Sequence, residues 1–294
     1  MPSLKETKNR IASVASTLKI TSAMKMVAAA KLRKAQKAMG NMLSYEAELS
    51  LMLLDLIGNR PLSAIDSFFG PEPTRNDTPC LALVAFASNS SLCGSFNANA
   101  IRRALDAVKQ YRAEGWDVTV YSIGRKMADA MRREGIPSPH DYTALCAHPE
   151  YEEAAALGEE LIEGFRSGRF QRVELIYNHF KSSASQPTAQ ETFLPLSTLP
   201  SSDPSSENGD GPEFIVEPDR ESEIRRLLPI VLRLKIYATL LDSVTAEHAA
   251  RTVAMQMATD NAQDLLAELT LEYNKGRQQK ITSEILDLVS GESR

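Results

Sequence analysis

The sequence lacks the run of about 18 apolar residues that a membrane-spanning helix requires. Its most apolar stretch, residues 49–57, is short and contains Asp55. The first six residues, from Met1 to Glu6, include no apolar core of the kind that signal peptides carry. We therefore expect neither a transmembrane helix nor secretion.

Residues that commonly build metal or cofactor sites are few. The three cysteines show no C-x-x-C spacing, which argues against a disulfide framework or a zinc site. The four histidines lie apart, with none at i, i+4 from another. The sequence contains neither G-x-G-x-x-G nor G-x-x-x-x-G-K-[ST], the phosphate-binding glycine motifs. We expect no cofactor and no catalytic group, although the loop 88–95 could in principle hold an anion on its backbone amides.

The N-terminal region instead carries a strong heptad repeat. Between Leu4 and Leu56, 12 of the 16 heptad core positions are apolar. Such a stripe, at a spacing of 3.5 residues, buries its side chains only against a partner helix. Apart from Gly40 there is no glycine or proline in residues 3–57, which predicts one helix roughly 80 Å long.

The C-terminal region repeats this pattern, with Pro229 expected to kink or restart its long helix. His248 falls on a core position, where a polar pair could set the register between helices. Gly276 either marks a close approach or is tolerated at a cost of about 1 kcal/mol. Two stripes at opposite ends of one chain predict an antiparallel pair within the chain. The predicted coiled-coil core contains Leu4, Ile11, Val14, Leu18, Ala28, Leu32, Met255, Ala258, Ala262, Leu265 and Leu269.

The basic residues concentrate near the N-terminus. Residues 1–40 contain nine Lys or Arg against one acid, a local net charge of +8 in a chain whose total is −5. Such a helix suits an acidic protein surface, a nucleic acid or a membrane surface, unless the charges are simply a solvated face.

The middle of the chain alternates short apolar runs with helical segments. The runs 80–86, 118–123 and 173–178 read as strands, with a further extended segment at 190–196. This rhythm predicts a mainly parallel α/β sheet with helices on its faces. The predicted domains are a coiled-coil helix (1–58), a connector (59–79), the central α/β domain (80–196), a flexible loop with a return segment (197–218) and a second coiled-coil helix (219–294).

Specific motifs resemble the gamma subunit of F-type ATP synthases. At the N-terminus these are Ser3-Leu4-Lys5, Arg10-Ile11, Ser13-Val14 and the run from Lys19 to Leu32. At the C-terminus they are Glu247-His248-Ala249-Ala250-Arg251, the segment Ala258 to Ala262, Tyr273-Asn274-Lys275 and Arg277-Gln278. Weaker matches in the middle are Leu92-Cys93-Gly94 and Tyr177-Asn178.

This resemblance implies a non-catalytic rotor subunit of the central stalk. It implies as partners the alpha and beta subunits, an epsilon-type stalk subunit and the c-ring of a proton-translocating synthase. The protein would then be peripheral, attached through the c-ring to the cytoplasmic face of a bacterial inner membrane. By position in the motifs, the beta-subunit contacts would be Met24, Lys25, Arg277, Gln278 and Thr282.

Two other functions remain open from the residues alone. A nucleic-acid-binding coiled coil would use the basic N-terminal helix, and its affinity would fall steeply with salt. An α/β enzyme with helical extensions would need a ligand at the loop 88–95.

Overall fold

The structure is a computed structural model that describes residues 3–57, 78–196, 216 and 219–291. The predicted connector 59–79, except for its last two residues, lies outside this range, and so does the predicted loop 197–218 except for residue 216. The described elements, in chain order, are α1 (Leu4–Ile57), β1 (Cys80–Phe86), α2 (Phe96–Ala113), β2 (Asp117–Ile123), α3 (Arg125–Arg133), α4 (Thr143–Ala147), α5 (Tyr151–Arg166), β3 (Arg172–Asn178), β4 (Thr188–Leu194) and α6 (Arg220–Gly291).

The chain divides into two compact units. One unit comprises Met1–Ala30 and Arg251–Arg294, and the other comprises Lys31–Ala250. We call the described helices of the first unit (residues 4–30 of α1 and 251–291 of α6) the shaft. We call the second unit, residues 31–250, the base.

Both long helices begin at side-chain caps. The backbone N–H of Glu6 donates to Ser3 Oγ at 3.2 Å, as in the S-x-x-E capping pattern. At the start of α6, the N–H of Ser222 donates to Asp219 Oδ1 at 2.9 Å. This backbone hydrogen bond holds the pKa of Asp219 below its usual value. The two caps satisfy N–H groups that have no acceptor within the helix.

Pro229 was expected to kink or restart the last helix, and of these two outcomes the restart does not occur. A single helix runs through this proline from Arg220 to Gly291. Leu228 and Leu232 on either side are 1% and 4% exposed, and the guanidinium of Arg233 donates to the Pro229 carbonyl at 3.2 Å. Packing of the flanking leucines therefore outweighs the one backbone bond that proline removes.

The base contains a four-stranded sheet with strand order β2-β1-β3-β4. Strand β1 pairs in parallel with both β2 and β3, whereas β4 runs antiparallel to β3. The mainly parallel α/β domain predicted from the sequence is confirmed. The antiparallel strand lies at one edge, as is common in mixed sheets.

Helices cover both faces of this sheet. Alternate β1 residues point to opposite sides, so Leu81 and Leu83 join a core with α2 and α3. On the other face, Val84 and Phe86 join a larger core with α5 and α6, to which Leu53 of α1 also belongs. Burial on both faces explains why the strands read as nearly continuous apolar runs.

Candidate functional site

The two helices of the shaft run antiparallel. Leu4 lies beside Gly276, Thr21 bonds Thr259 and Lys25 bonds Gln256, so the residue number on α6 falls as that on α1 rises. The two numbers of each facing pair add to 280 or 281. This register confirms the predicted antiparallel coiled coil of the N- and C-terminal helices.

The contact line between the two helices, which we call the seam, holds most of the buried side chains of the shaft. On α6, seven buried or half-buried positions follow each other by four and three residues, as a heptad requires. They are Met255, Thr259, Ala262, Leu266, Leu269, Tyr273 and Gly276. Of the predicted core residues, Ala28, Met255, Ala262 and Leu269 are buried in the shaft, while Leu4, Ile11, Val14, Leu18 and Ala258 are half-buried there; Leu32 is buried in the base.

Leu265 was expected in the seam, but its side chain is 40% exposed and the next residue, Leu266, is half-buried instead. The series that predicted Leu265 begins at Tyr237 and Val244, and both of these belong to the core against the sheet. Extending a sheet-facing series into the shaft displaces the second seam series by one residue. Leu265 was therefore predicted wrongly because α6 buries two faces in the base but only one in the shaft.

The end of α6 extends beyond its partner. Since Leu4 lies level with Gly276, the helical residues described for α1 extend no further along α6 than Gly276, and the residues from Arg277 to Gly291 lie beyond them. This segment, which we call the overhang, is 15 residues and thus about 22 Å long. Its side chains are exposed from position 277 to position 286. The three predicted contact residues Arg277, Gln278 and Thr282 all lie on it, with the Thr282 hydroxyl donating to the Gln278 carbonyl at 2.9 Å.

Met24 and Lys25 lie elsewhere on the shaft. Both are half-buried, and the ammonium of Lys25 donates to Gln256 Oε1 at 2.9 Å. From Gln256 to Arg277 the helix rises by about 32 Å. The five predicted contact residues therefore form two separate groups, one at mid-shaft and one on the overhang.

The two helices of the shaft differ in charge. Exposed basic residues on α1 include Lys5, Lys8, Arg10 and Lys19. On α6 an exposed row of carboxylates recurs every four residues, at Asp260, Asp264, Glu268 and Glu272. The four-residue spacing of these carboxylates is visible in the sequence, but the prediction of a charged partner used only the +8 charge of residues 1–40. Between positions 260 and 272 of α6, the shaft therefore presents acidic side chains on α6 and basic ones on α1.

The loop 88–95 of the base is organised by its own side chains. The Ser88 N–H and hydroxyl both donate to Asn97 Oδ1, at 2.9 and 3.0 Å, and the Asn97 amide donates to the Ser90 carbonyl at 3.1 Å. Asn89 donates to the Thr143 carbonyl and accepts from the Arg125 N–H. These contacts explain the polar composition of the loop without an anion.

Across the described ranges, no group of three or more His, Cys, Asp or Glu side chains is placed to hold a metal ion. Within the same ranges, none of the helices combines the length and apolar character needed to cross a membrane.

A two-helix antiparallel coiled coil and a mainly parallel α/β sheet in one chain define a coiled-coil α/β class of protein. A family model described as ATP synthase matches residues 3–293. The chain is 48% identical over 292 residues to the ATP synthase gamma chain of Phocaeicola vulgatus and 46% identical to that of Bacteroides fragilis, with 99% of each chain covered in both comparisons. The chain therefore belongs to the ATP synthase gamma-chain family.

A solved structure shows the same fold at lower sequence identity. A chain in a cryo-electron-microscopy structure of the Euglena gracilis mitochondrial ATP synthase is 16% identical, with a TM-score of 0.60, and the match covers 99% of this chain and 93% of that one. Together with the family, it supports the rotor role that the resemblance implied. The nucleic-acid-binding alternative receives no support from these comparisons.

Proposed function

We propose that this protein is the central-stalk rotor of a proton-translocating F-type ATP synthase, and that it turns with the c-ring while the alpha and beta subunits surround its shaft. It does no bond chemistry itself. Each rotor angle offers the catalytic beta subunits a different set of contacts, and the differential binding shifts their open and closed populations. The observation that carries this proposal is the antiparallel shaft with its exposed overhang in a chain of the gamma family.

Two features of the shaft support such angle-dependent contacts. Between positions 260 and 272 of α6 the two helices carry opposite charge, so a half-turn of the shaft exchanges positive for negative charge at a fixed point beside this section. The overhang is a single helix whose exposed side chains include Arg277, Gln278 and Thr282. We assign these three residues, together with Met24 and Lys25 at mid-shaft, to contact with the beta subunits.

The remaining partners follow from the same role. We assign an epsilon-type stalk subunit and the c-ring to this chain, and through the c-ring a peripheral position on the cytoplasmic face of a bacterial inner membrane. These assignments rest on membership of the gamma family, with the curated bacterial relatives as their support.

Reconstitution tests the role directly. Purified chain mixed with alpha and beta subunits should form a stable complex with ATPase activity, and the double variant Arg277→Ala with Gln278→Ala should lower that activity several-fold. Both side chains are exposed on a helix, so the isolated variant should keep its helical content.

The matched control is Lys280→Ala, which removes another exposed cation from the same overhang. We expect its activity to stay within twofold of the unsubstituted complex. If the double variant is as active as this control, the proposed contact of Arg277 and Gln278 is wrong. If the complex does not form at all, the proposed rotor role is wrong.

A further inference from the structure

One pair of polar side chains lies inside the seam of the shaft. Thr21 and Thr259 are 9% and 5% exposed, and their hydroxyl oxygens are 3.0 Å apart. Each hydroxyl has one proton to donate. The Thr259 hydroxyl lies 2.7 Å from the Met255 carbonyl oxygen of its own helix and 3.0 Å from Thr21 Oγ1, and the Thr21 hydroxyl donates to the Leu18 carbonyl at 3.1 Å. Each hydroxyl therefore has an acceptor on its own helix, and in the observed register it also faces the other hydroxyl across the seam.

A second polar contact lies one turn away, at the rim of the seam. The ammonium of Lys25 donates to Gln256 Oε1 at 2.9 Å. The amide of Gln256 in turn donates to Asp260 Oδ1 at 2.7 Å, which fixes the orientation of the amide group. We call Thr21, Thr259, Lys25 and Gln256 the polar layer.

Most other seam positions of the shaft do not distinguish one register from the next. A shift of α1 by seven residues relative to α6, about 10 Å along the axis, moves Ile11 from the level of Leu269 to that of Ala262. An apolar side chain then still faces an apolar side chain. The same shift would set the Thr259 hydroxyl against Val14 and bring Thr21 level with Thr252. A shift in the other direction would set Thr259 against Ala28 and Thr21 against Leu266. Either shift would also separate Lys25 from Gln256.

We propose that the polar layer fixes the axial register of the two shaft helices, so that the shaft resists slipping by one heptad. The physical basis is the loss of the matched cross-seam contact. In a shifted register Thr259 faces an apolar side chain and keeps only the carbonyl of its own helix, whereas shifted leucines and alanines find equivalent neighbours. The inference concerns the pairing of the two helices and does not depend on the proposed rotor role.

Disulfide trapping in the full chain reads the register. Ile11→Cys with Leu269→Cys reports the observed register, and Ile11→Cys with Ala262→Cys reports a shift of one heptad. Mild oxidation followed by peptide mapping separates these cross-links from any that involve Cys80, Cys93 or Cys146. With the polar layer intact, the first pair should cross-link at least tenfold more than the second.

The double variant Thr21→Val with Thr259→Val replaces the two hydroxyls by methyl groups. It should lower the ratio of in-register to shifted cross-link at least fivefold while the helical content stays unchanged. The variant Thr21→Ser with Thr259→Ser keeps both hydroxyls and should retain the original ratio. Thr7→Val is the matched control, since Thr7 is 3% exposed at an equivalent seam position and its hydroxyl lies 3.4 Å from the Ser3 carbonyl of its own helix.

Three outcomes would overturn the proposal. The ratio could stay the same in the double valine variant, or fall as much in Thr7→Val. Absence of the in-register cross-link in the unsubstituted background would contradict the register itself.

Discussion

Gly276 of α6 faces the side chain of Leu4 near the start of α1, and a Cβ added to this glycine would lie 3.2 Å from Leu4 Cδ2. The neighbouring atom is the far end of a flexible side chain, which can move by a few tenths of an ångström. Gly276 therefore marks a close approach of the two helices that a small side chain can still satisfy.

We expect Gly276→Ala to stabilise the shaft. Alanine in a helix interior is favoured over glycine by about 1 kcal/mol, and the adjustment of Leu4 offsets only part of that gain. Gly276→Val should reverse the effect, because a branched side chain displaces Leu4. Hydrogen exchange of the α6 amides near position 276 measures both changes.

Gly40→Ala is the matched control, since Gly40 is an exposed α1 residue with nothing within 4 Å of an added Cβ. It should show the gain in helix propensity alone, measured by exchange of the neighbouring α1 amides. A Gly276→Ala variant less stable than the unsubstituted chain would show that Leu4 cannot adjust.

The sequence predicts α1 almost completely. All 16 heptad positions from Leu4 to Leu56 are buried or half-buried, including the non-apolar Thr7, Thr21, Lys25 and Glu46. Burial raises the pKa of the Glu46 carboxyl, and Lys235 partly offsets this increase. Where one face of a helix is buried along its whole length, the apolar periodicity of the sequence alone predicts which side chains are buried.

Periodicity is less informative where a helix has two buried faces. In the base, the residues of α6 from Ile224 to Val244 that recur every four positions face the sheet, while others between them are also buried. The sequence does not show which apolar series of α6 faces the sheet and which faces α1. This is why Leu265 was wrongly predicted to lie in the seam. The short helix α4 carries no side-chain cap bond and was not predicted either.

The polar layer was also beyond prediction from sequence. From the sequence, a polar pair at His248 was a feature that could set the register, because histidine at a core position is conspicuous. Threonine is small and both long helices contain several threonines, so neither Thr21 nor Thr259 stands out until the two helices are aligned. A contact between residues 238 positions apart becomes visible only once the two helices are aligned in the fold.

In the base, Gly124 occupies a position that excludes any side chain. Its φ of 92° and ψ of 146° lie in a region that is essentially restricted to glycine, and an added Cβ would lie 2.1 Å from the Ala87 carbonyl oxygen. We expect Gly124→Ala to destabilise the base by about 3–5 kcal/mol. Urea unfolding followed by fluorescence of Trp116, the single tryptophan, reports on the base specifically.

Gly115→Ala separates backbone strain from the steric clash. Gly115 has a φ of 86°, and nothing lies within 4 Å of an added Cβ. Its replacement should cost about 1–2 kcal/mol, the price of a left-handed alanine. Equal losses at the two positions would mean that the contact with Ala87 contributes nothing.

Several tyrosines of the base donate to glutamates within the fold. The Tyr111 hydroxyl donates to Glu174 at 2.5 Å, and Glu174 is 2% exposed. Burial raises the pKa of each phenol in this group, and the adjacent carboxylate raises it further. The pairs are Tyr111 with Glu174, Tyr121 and Tyr142 with Glu160, and Tyr177 with Glu191.

These raised pKa values predict that the base loses stability in alkali. An unfolded phenol ionises near pH 10, whereas the folded phenols stay protonated there. Their contribution is therefore complete below about pH 10 and is lost as the pH rises through the folded pKa values. Urea unfolding followed by Trp116 fluorescence between pH 8 and pH 11 should show a falling free energy of unfolding above pH 10.

Tyr121→Phe tests the origin of this slope, because Tyr121 is 1% exposed and donates to Glu160 at 2.9 Å. One fewer titrating phenol should make the slope shallower by up to about 1.4 kcal/mol per pH unit. Tyr45→Phe, at a side chain that is 54% exposed on α1, should leave the slope unchanged. Identical slopes in Tyr121→Phe and the unsubstituted protein would show that ionisation of the buried phenols does not limit stability in alkali.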